Sequence, residues 1–175
     1  MKVFLCMLAA LAVVLSAAQQ HDLKPADALK SLAFMKGDWA GTQNFNTQGG
    51  PALSGDATNH IDDAIGGRYL CEMLSTTMTG RKPTDTRHFI SYDPKTGKYT
   101  AWWFTDTSVG PLEFEGDLTD GKLVLLSKPG SPTTFRATYS SPDPTTLTYT
   151  LEMQQDGTWT RLFTTTYKRK PAERP

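Results

Sequence analysis

The feature that most restricts the fold is an almost unbroken series of short alternating segments that begins near residue 37. Between residues 147 and 153, Leu, Tyr, Leu and Met alternate with Thr, Thr and Glu, which is the pattern of a strand with one buried and one solvent-facing side. The dipeptides Asp120-Gly121 and Asp156-Gly157 separate such segments and favour two-residue hairpin turns. No intervening segment is long enough for a crossover helix, so consecutive strands are expected to run antiparallel.

The alternation predicts about ten strands joined in sequence by hairpins. Their predicted ranges are 38–46, 53–62, 67–78, 85–92, 98–105, 111–118, 121–127, 133–140, 146–154 and 158–169. A meander of this length leaves exposed edges unless it closes on itself. We therefore predict an all-β fold, an antiparallel up-and-down β-barrel, with a short N-terminal helix at one end. A two-sheet sandwich is the alternative.

The helix is predicted within residues 25–34. Pro25 suits a first helical turn, and Leu29, Leu32 and Phe34 supply an apolar side. Gly37 then ends the helical segment and opens the first strand. The predicted organisation is a lead and helix over 19–36, a barrel domain over 37–170 and a tail over 171–175.

The first eighteen residues have the features of a secretory signal peptide. Lys2 provides a positive start, residues 3–15 form an apolar run, and Ser16 and Ala18 are small residues at the positions that a signal peptidase requires. We predict cleavage after Ala18 and a secreted or periplasmic protein with no membrane span in its mature form. A retained anchor is the alternative.

The charge and cysteine content exclude several classes of function. The full chain has 18 basic and 18 acidic residues, and loss of Lys2 makes the mature chain one charge negative. A near-neutral chain lacks the basic surface of a nucleic-acid binder. Cys71 is the only cysteine after the leader, so no disulfide forms within the mature chain. Its alternation with Tyr69 and Met73 predicts a buried apolar side chain.

Several segments together resemble a known bacterial family. They are Gly37-Asp38-Trp39-Ala40-Gly41, Gly66-Gly67-Arg68-Tyr69-Leu70, residues 91–99 with Trp103, Asp120-Gly121-Lys122-Leu123 and Thr166-Tyr167-Lys168-Arg169-Lys170. Over nearly all of the mature chain they resemble the family catalogued as domain of unknown function 1579. The resemblance implies a lipocalin-like, or calycin-like, barrel. It supplies no ligand, because the function of the family is itself obscure.

The Gly37-x-Trp39 motif also resembles the start of lipocalins and other calycin barrels. In those barrels an Arg from the end of the last strand packs across the Trp of the first strand. The resemblance therefore implies that Arg169 packs on Trp39 and helps to close the barrel, with Arg161 as the alternative partner. A guanidinium over an indole is a favourable cation–π contact.

No catalytic motif appears in the sequence. It has neither a Gly-x-Ser-x-Gly elbow nor a phosphate-binding glycine loop, and no catalytic residue is assigned. We predict that the barrel binds a small, largely apolar ligand in its lumen. The predicted lining consists of Tyr69, Cys71, Met73, Trp103, Phe114, Phe135, Tyr149 and Phe163.

Two other functions stay open at this point. A barrel packed solid by bulky side chains would act as a protein-interaction module. A buried ionisable pair in the lumen would instead favour an enzyme that uses the lumen as its pocket.

Metal and haem sites are further alternatives, although no cofactor is predicted for the main interpretation. His60 and Asp62 share one strand face and, with His88 from a nearby hairpin, would give two imidazoles and a carboxylate for a metal. Cleavage after Ala18 would leave His21 as the third residue of the mature chain. There it would bind Cu(II) or Ni(II) together with the free amine of the new N-terminus. His88 is also the candidate ligand by resemblance to nitrobindin-like haem barrels.

Overall fold

A closed ring of ten strands makes up most of the structure, which is a computed structural model. The structure describes residues 24–47, 50, 53–106, 108–131 and 133–171. The strands are β1 Gly37–Phe45, β2 Leu53–Ala64, β3 Tyr69–Met78, β4 Thr84–Asp93, β5 Lys98–Thr105, β6 Leu112–Thr119, β7 Lys122–Ser127, β8 Phe135–Asp143, β9 Thr146–Gln155 and β10 Thr158–Arg169. Helix α1 spans Pro25–Lys30, and a 3₁₀ turn spans Ala33–Met35. Within these described ranges, no helix is long and apolar enough to cross a membrane.

Each strand pairs antiparallel with the next strand of the chain, and β1 pairs with β10 to close the ring. The predicted up-and-down barrel is thereby confirmed, and the sandwich alternative is wrong. The two-residue turns are confirmed as well. Asp120 and Gly121 have φ of 50° and 71°, and Asp156 and Gly157 have φ of 48° and 76°, which is the double positive φ of a type I′ hairpin.

One end of the barrel is filled by the helical segment. Leu29, Leu32 and Met35 are fully buried in the same core as Trp39, whose indole Nε1 donates a hydrogen bond to the Met35 carbonyl at 2.8 Å. The predicted helix of residues 25–34 is shorter in the structure, because α1 ends at Lys30 and a 3₁₀ turn follows. This turn tightens the chain so that it leads directly into β1.

The seam between β1 and β10 is held by Arg169. Trp39 and Arg169 are cross-strand partners, and the guanidinium carbon lies 4.0 Å from the centroid of the Trp39 ring. Arg169 Nη1 also donates to the Lys36 carbonyl at 2.6 Å, and Nε donates to the Pro144 carbonyl at 3.1 Å. A side chain at position 37 would collide with Nη1 of Arg169, which explains the glycine of the Gly37-x-Trp39 motif.

Candidate ligand cavity and buried polar cluster

The lumen opposite the helical end contains a cavity of about 250 Å³. Most of its wall is apolar and includes Phe45, Leu74, Leu112, Phe135, Leu151 and Phe163. Its polar wall residues are Gln43, Thr76, Thr84, Thr86, His88 and Thr105. An apolar cavity with a few polar groups is the usual form of a small-molecule site.

A carboxylate lies in the centre of the barrel beside this cavity. Glu72 of β3 is fully buried and has partners on three other strands. Asn59 Nδ2 donates to its Oε1 at 2.5 Å, and the Tyr139 hydroxyl donates to its Oε2 at 2.7 Å. His88 Nδ1 lies 2.5 Å from the same Oε2. The four side chains form what we call the Glu72 cluster: Asn59, Glu72, His88 and Tyr139.

The Glu72 cluster keeps its carboxylate ionised. Burial alone would raise the pKa of Glu72, but the attraction of His88 and the hydrogen bonds from His88, Tyr139 and Asn59 outweigh it, so the pKa lies below its ordinary value. Burial and the negative charge of Glu72 raise the pKa of Tyr139 well above its usual range. Tyr139 therefore stays a phenol and donates, and the ionised carboxylate can only accept.

Aromatic rings fix the orientation of His88. Its imidazole stacks on Trp103 with centroids 4.2 Å apart and planes 17° apart. The ring of Tyr149 is T-shaped to it, with centroids 6.2 Å apart. Tyr149 in turn stacks on Tyr139 at 4.6 Å. The ring is thus held between Glu72 on one side and an aromatic stack on the other, which leaves it little rotational freedom.

Two polar atoms beside the cavity lack protein partners in the described part of the chain. The indole Nε1 of Trp103 is buried and has no hydrogen-bond partner there. His88 uses Nδ1 for Glu72 and Tyr139, and no described residue bonds to its Nε2. Both residues line the cavity. The indole Nε1 has almost no accessible surface, so Nε2 of His88 is the atom of these two that can contact a ligand in the cavity.

Four of the predicted lining residues lie on the cavity wall: Trp103, Phe135, Tyr149 and Phe163. Phe114 is fully buried behind Trp103, with ring centroids 3.9 Å apart, and does not line the cavity. Contact of these residues with a ligand stays a prediction.

The other three predicted lining residues face outward, and the inward orientation expected for them is wrong. Leu70, Glu72 and Leu74 are the buried face of β3, so Tyr69, Cys71 and Met73 lie outside, where Met73 is 39% exposed. Tyr69 packs against Phe89 and Trp102 there. Cys71 is half-buried on this outer face rather than in the core. The outer face of β3 is apolar and the inner face carries a charge, which reverses the usual signal.

The histidines do not form the predicted metal site. His60 lies on the outer face of β2 with Nδ1 2.7 Å from Asp38 Oδ1, whereas His88 lies inside the barrel, so the wall separates them. No group of three or more His, Cys, Asp or Glu side chains suited to a metal occurs among the described residues. His21 and the predicted leader lie outside those residues. Haem binding at His88 stays a prediction.

Comparison with known proteins places the chain among barrels of this type. The sequence model described as protein of unknown function (DUF1579) matches residues 24–169. The crystal structure of Rv2717c from M. tuberculosis matches with a TM-score of 0.65 at 18% sequence identity. The match covers 86% of this chain and 100% of the Rv2717c chain. The S-type phycobiliprotein lyase CPES from Guillardia theta matches with a TM-score of 0.62 at 9% sequence identity, over 89% of this chain and 98% of the lyase chain. No curated protein matches the sequence significantly.

Proposed function

Since the chain belongs to the family of unknown function DUF1579, we propose that it is an exported barrel that binds a compact, largely apolar ligand in its lumen. The observation that supports this most directly is the cavity of about 250 Å³ with its mainly apolar wall. Small closed barrels commonly hold one small ligand in this way. The similarity in fold to a phycobiliprotein lyase is consistent with a ligand inside the barrel.

The size of the cavity restricts the ligand. An apolar cavity of about 150 Å³ holds one benzene molecule, and pockets for drug-sized ligands begin near 300 Å³. A cavity of about 250 Å³ therefore suits a molecule of one or two rings. Removal of its apolar surface from water supplies most of the binding free energy.

A second candidate function is an enzyme that uses the same lumen. The buried pair of Glu72 and His88 favours it, because a carboxylate that orients an imidazole is the usual support of a general base. The two functions differ in what happens to the ligand. Mass spectrometry of a ligand incubated with the protein separates them: a binding protein returns it unchanged, and an enzyme returns a product.

We expect the exported protein to begin at Gln19, because Ser16 and Ala18 suit a signal-peptidase site. N-terminal sequencing of protein collected outside the cytoplasm measures this directly. A cyclised Gln19 would block sequencing by degradation, so intact-mass measurement serves as the second readout. Recovery of the whole chain with Met1 retained would contradict export by cleavage.

Filling the cavity is expected to abolish ligand binding. Leu151 lines the cavity, and Leu151→Trp adds bulk that occupies the ligand volume. Binding of 4-methylanisole, a compact apolar probe, should weaken at least ~10-fold, since most of its buried apolar area is lost. Equilibrium dialysis measures the affinity, and native mass spectrometry of the purified full chain shows whether a small molecule is carried from its host.

The matched control is Leu126→Trp. Leu126 lies on the outer face of β7 and is 43% exposed, so the same substitution there leaves the lumen unchanged. The proposal is contradicted if the wild type binds no compact apolar probe, or if both variants bind 4-methylanisole equally well.

A further inference from the structure

The acceptor capacity of His88 follows from the Glu72 cluster. Oε2 of the ionised Glu72 accepts hydrogen bonds, so the proton between it and His88 lies on Nδ1. A neutral imidazole with its proton on Nδ1 presents a lone pair at Nε2. His88 lines the cavity, so this lone pair is the acceptor available to a ligand.

The hydrogen bonds around His88 suit an imidazole that donates from Nδ1 alone. Glu72 also receives hydrogen bonds from Asn59 and Tyr139, and such donors stabilise a buried carboxylate. A proton on Nε2 would create a charged donor that no described residue accepts. An unpaired charged donor costs more free energy than an unpaired neutral acceptor.

Trp103 packs directly against His88. Its indole ring is stacked on His88, and its buried N–H has no partner in the part of the chain that the structure describes. The indole N–H has almost no accessible surface, so Nε2 of His88 is the polar contact of the two that a ligand in the cavity can reach. A hydroxyl group can donate a hydrogen bond to that acceptor.

We propose that the cavity recognises compact aromatic alcohols of the phenol class, with the ligand hydroxyl donating a hydrogen bond to Nε2 of His88. This inference rests on the proposed function, because it concerns the same cavity. The ring of the ligand lies among the aromatic side chains of Phe135, Tyr149 and Phe163, which favour ring contacts.

The charge of Glu72 decides against an anionic ligand. In the low-dielectric interior of the barrel, a second carboxylate next to Glu72 would be repelled strongly. A phenol enters as a neutral molecule and adds no charge to the lumen. Its methyl ether fits the same volume but has no hydrogen to donate, so it isolates the contribution of the hydroxyl.

Three probes that share one ring test the proposal: 4-methylphenol, 4-methylanisole and 4-methylbenzoate. Equilibrium dialysis with the full chain should show 4-methylphenol binding at least ~10-fold more tightly than 4-methylanisole, and 4-methylbenzoate binding most weakly. In His88→Phe the preference for the phenol should disappear while 4-methylanisole still binds. His60→Phe, on the outer face of β2, should keep the wild-type preference.

A second measurement covers the case in which His88→Phe does not fold. In wild-type protein labelled with ¹⁵N-histidine, 4-methylphenol should shift the Nε2 resonance of His88 and leave that of His60 unchanged. Equal binding of 4-methylphenol and 4-methylanisole by the wild type would overturn the proposal and leave the apolar cavity function standing. Preference for 4-methylbenzoate would overturn it in favour of a protonated His88. Failure of all three probes would instead contradict the proposed function.

Discussion

Glu72→Ala is expected to lower the free energy of unfolding by about 3–5 kcal/mol, because each buried donor that loses its acceptor costs about 1–3 kcal/mol. The substitution leaves Asn59, Tyr139 and His88 without the acceptor that they share. Each unpaired buried donor keeps its desolvation cost after the carboxylate is gone. Urea unfolding followed by circular dichroism measures the change.

The matched control for this substitution is Glu113→Ala. Glu113 is on the outer face of β6, and its carboxylate lies 3.4 Å from Lys128 Nζ. Exposed ion pairs contribute about 0–1 kcal/mol, so this variant should unfold nearly like the wild type. If Glu72→Ala and Glu113→Ala destabilise the protein equally, the Glu72 cluster does not hold the barrel together as described.

The contribution of Glu72 also depends on pH in a definite direction. The pKa of Glu72 is lower in the folded protein than its ordinary value of 4.5, so the folded state binds fewer protons than the unfolded state. The stabilisation is therefore present above 4.5 and is lost as the pH falls through the folded pKa. The difference in Tm between the wild type and Glu72→Gln should be constant near neutrality and shrink below that pH.

Arg169→Ala is expected to cost about 2–3 kcal/mol, as a sum of the cation–π contact with Trp39 and two hydrogen bonds to carbonyl groups. These hydrogen bonds join β10 to Lys36 and to Pro144, and the ring contact joins it to Trp39. All three partners lose their contact when the guanidinium is removed. Arg169→Lys should recover only part of the loss, because an ammonium lacks the planar fork. Thermal unfolding compares the variants.

Lys170→Ala is the control for the seam. Lys170 is the next residue and is exposed, and its backbone N–H, which bonds to the Asp38 carbonyl, survives the substitution. The variant should therefore melt like the wild type. Equal melting of Arg169→Ala and Lys170→Ala would show that the guanidinium contributes nothing to the closure.

The barrel could be predicted from the sequence because local signals determine it. Period-two alternation identifies strands, and Asp120-Gly121 and Asp156-Gly157 identify hairpins whose residues accept positive φ. Antiparallel neighbours joined by such turns leave little freedom in the order of the strands. Closure followed from the need to pair the two edge strands.

The inner face of β3 could not be predicted in the same way. The alternation of Tyr69, Cys71 and Met73 predicted that this apolar face lies inside, because a charge such as that of Glu72 is rarely buried. Asn59 and His88 lie on the strands that neighbour β3, but Tyr139 is 67 positions away on β8 and reaches Glu72 only across the lumen. A weaker signal was present in Leu70 and Leu74, which lie on the same strand face as Glu72. Two leucines on one face indicate that this face is buried.

The seam between β1 and β10 has a consequence for the order of folding. Every other pair of neighbouring strands is a local hairpin, whereas this pair joins residues as distant as Trp39 and Arg169. A contact of such high sequence separation is slow to form, because the intervening chain must be ordered first. We expect the seam to form after the transition state, so that Arg169→Ala accelerates unfolding and leaves the rate of folding nearly unchanged.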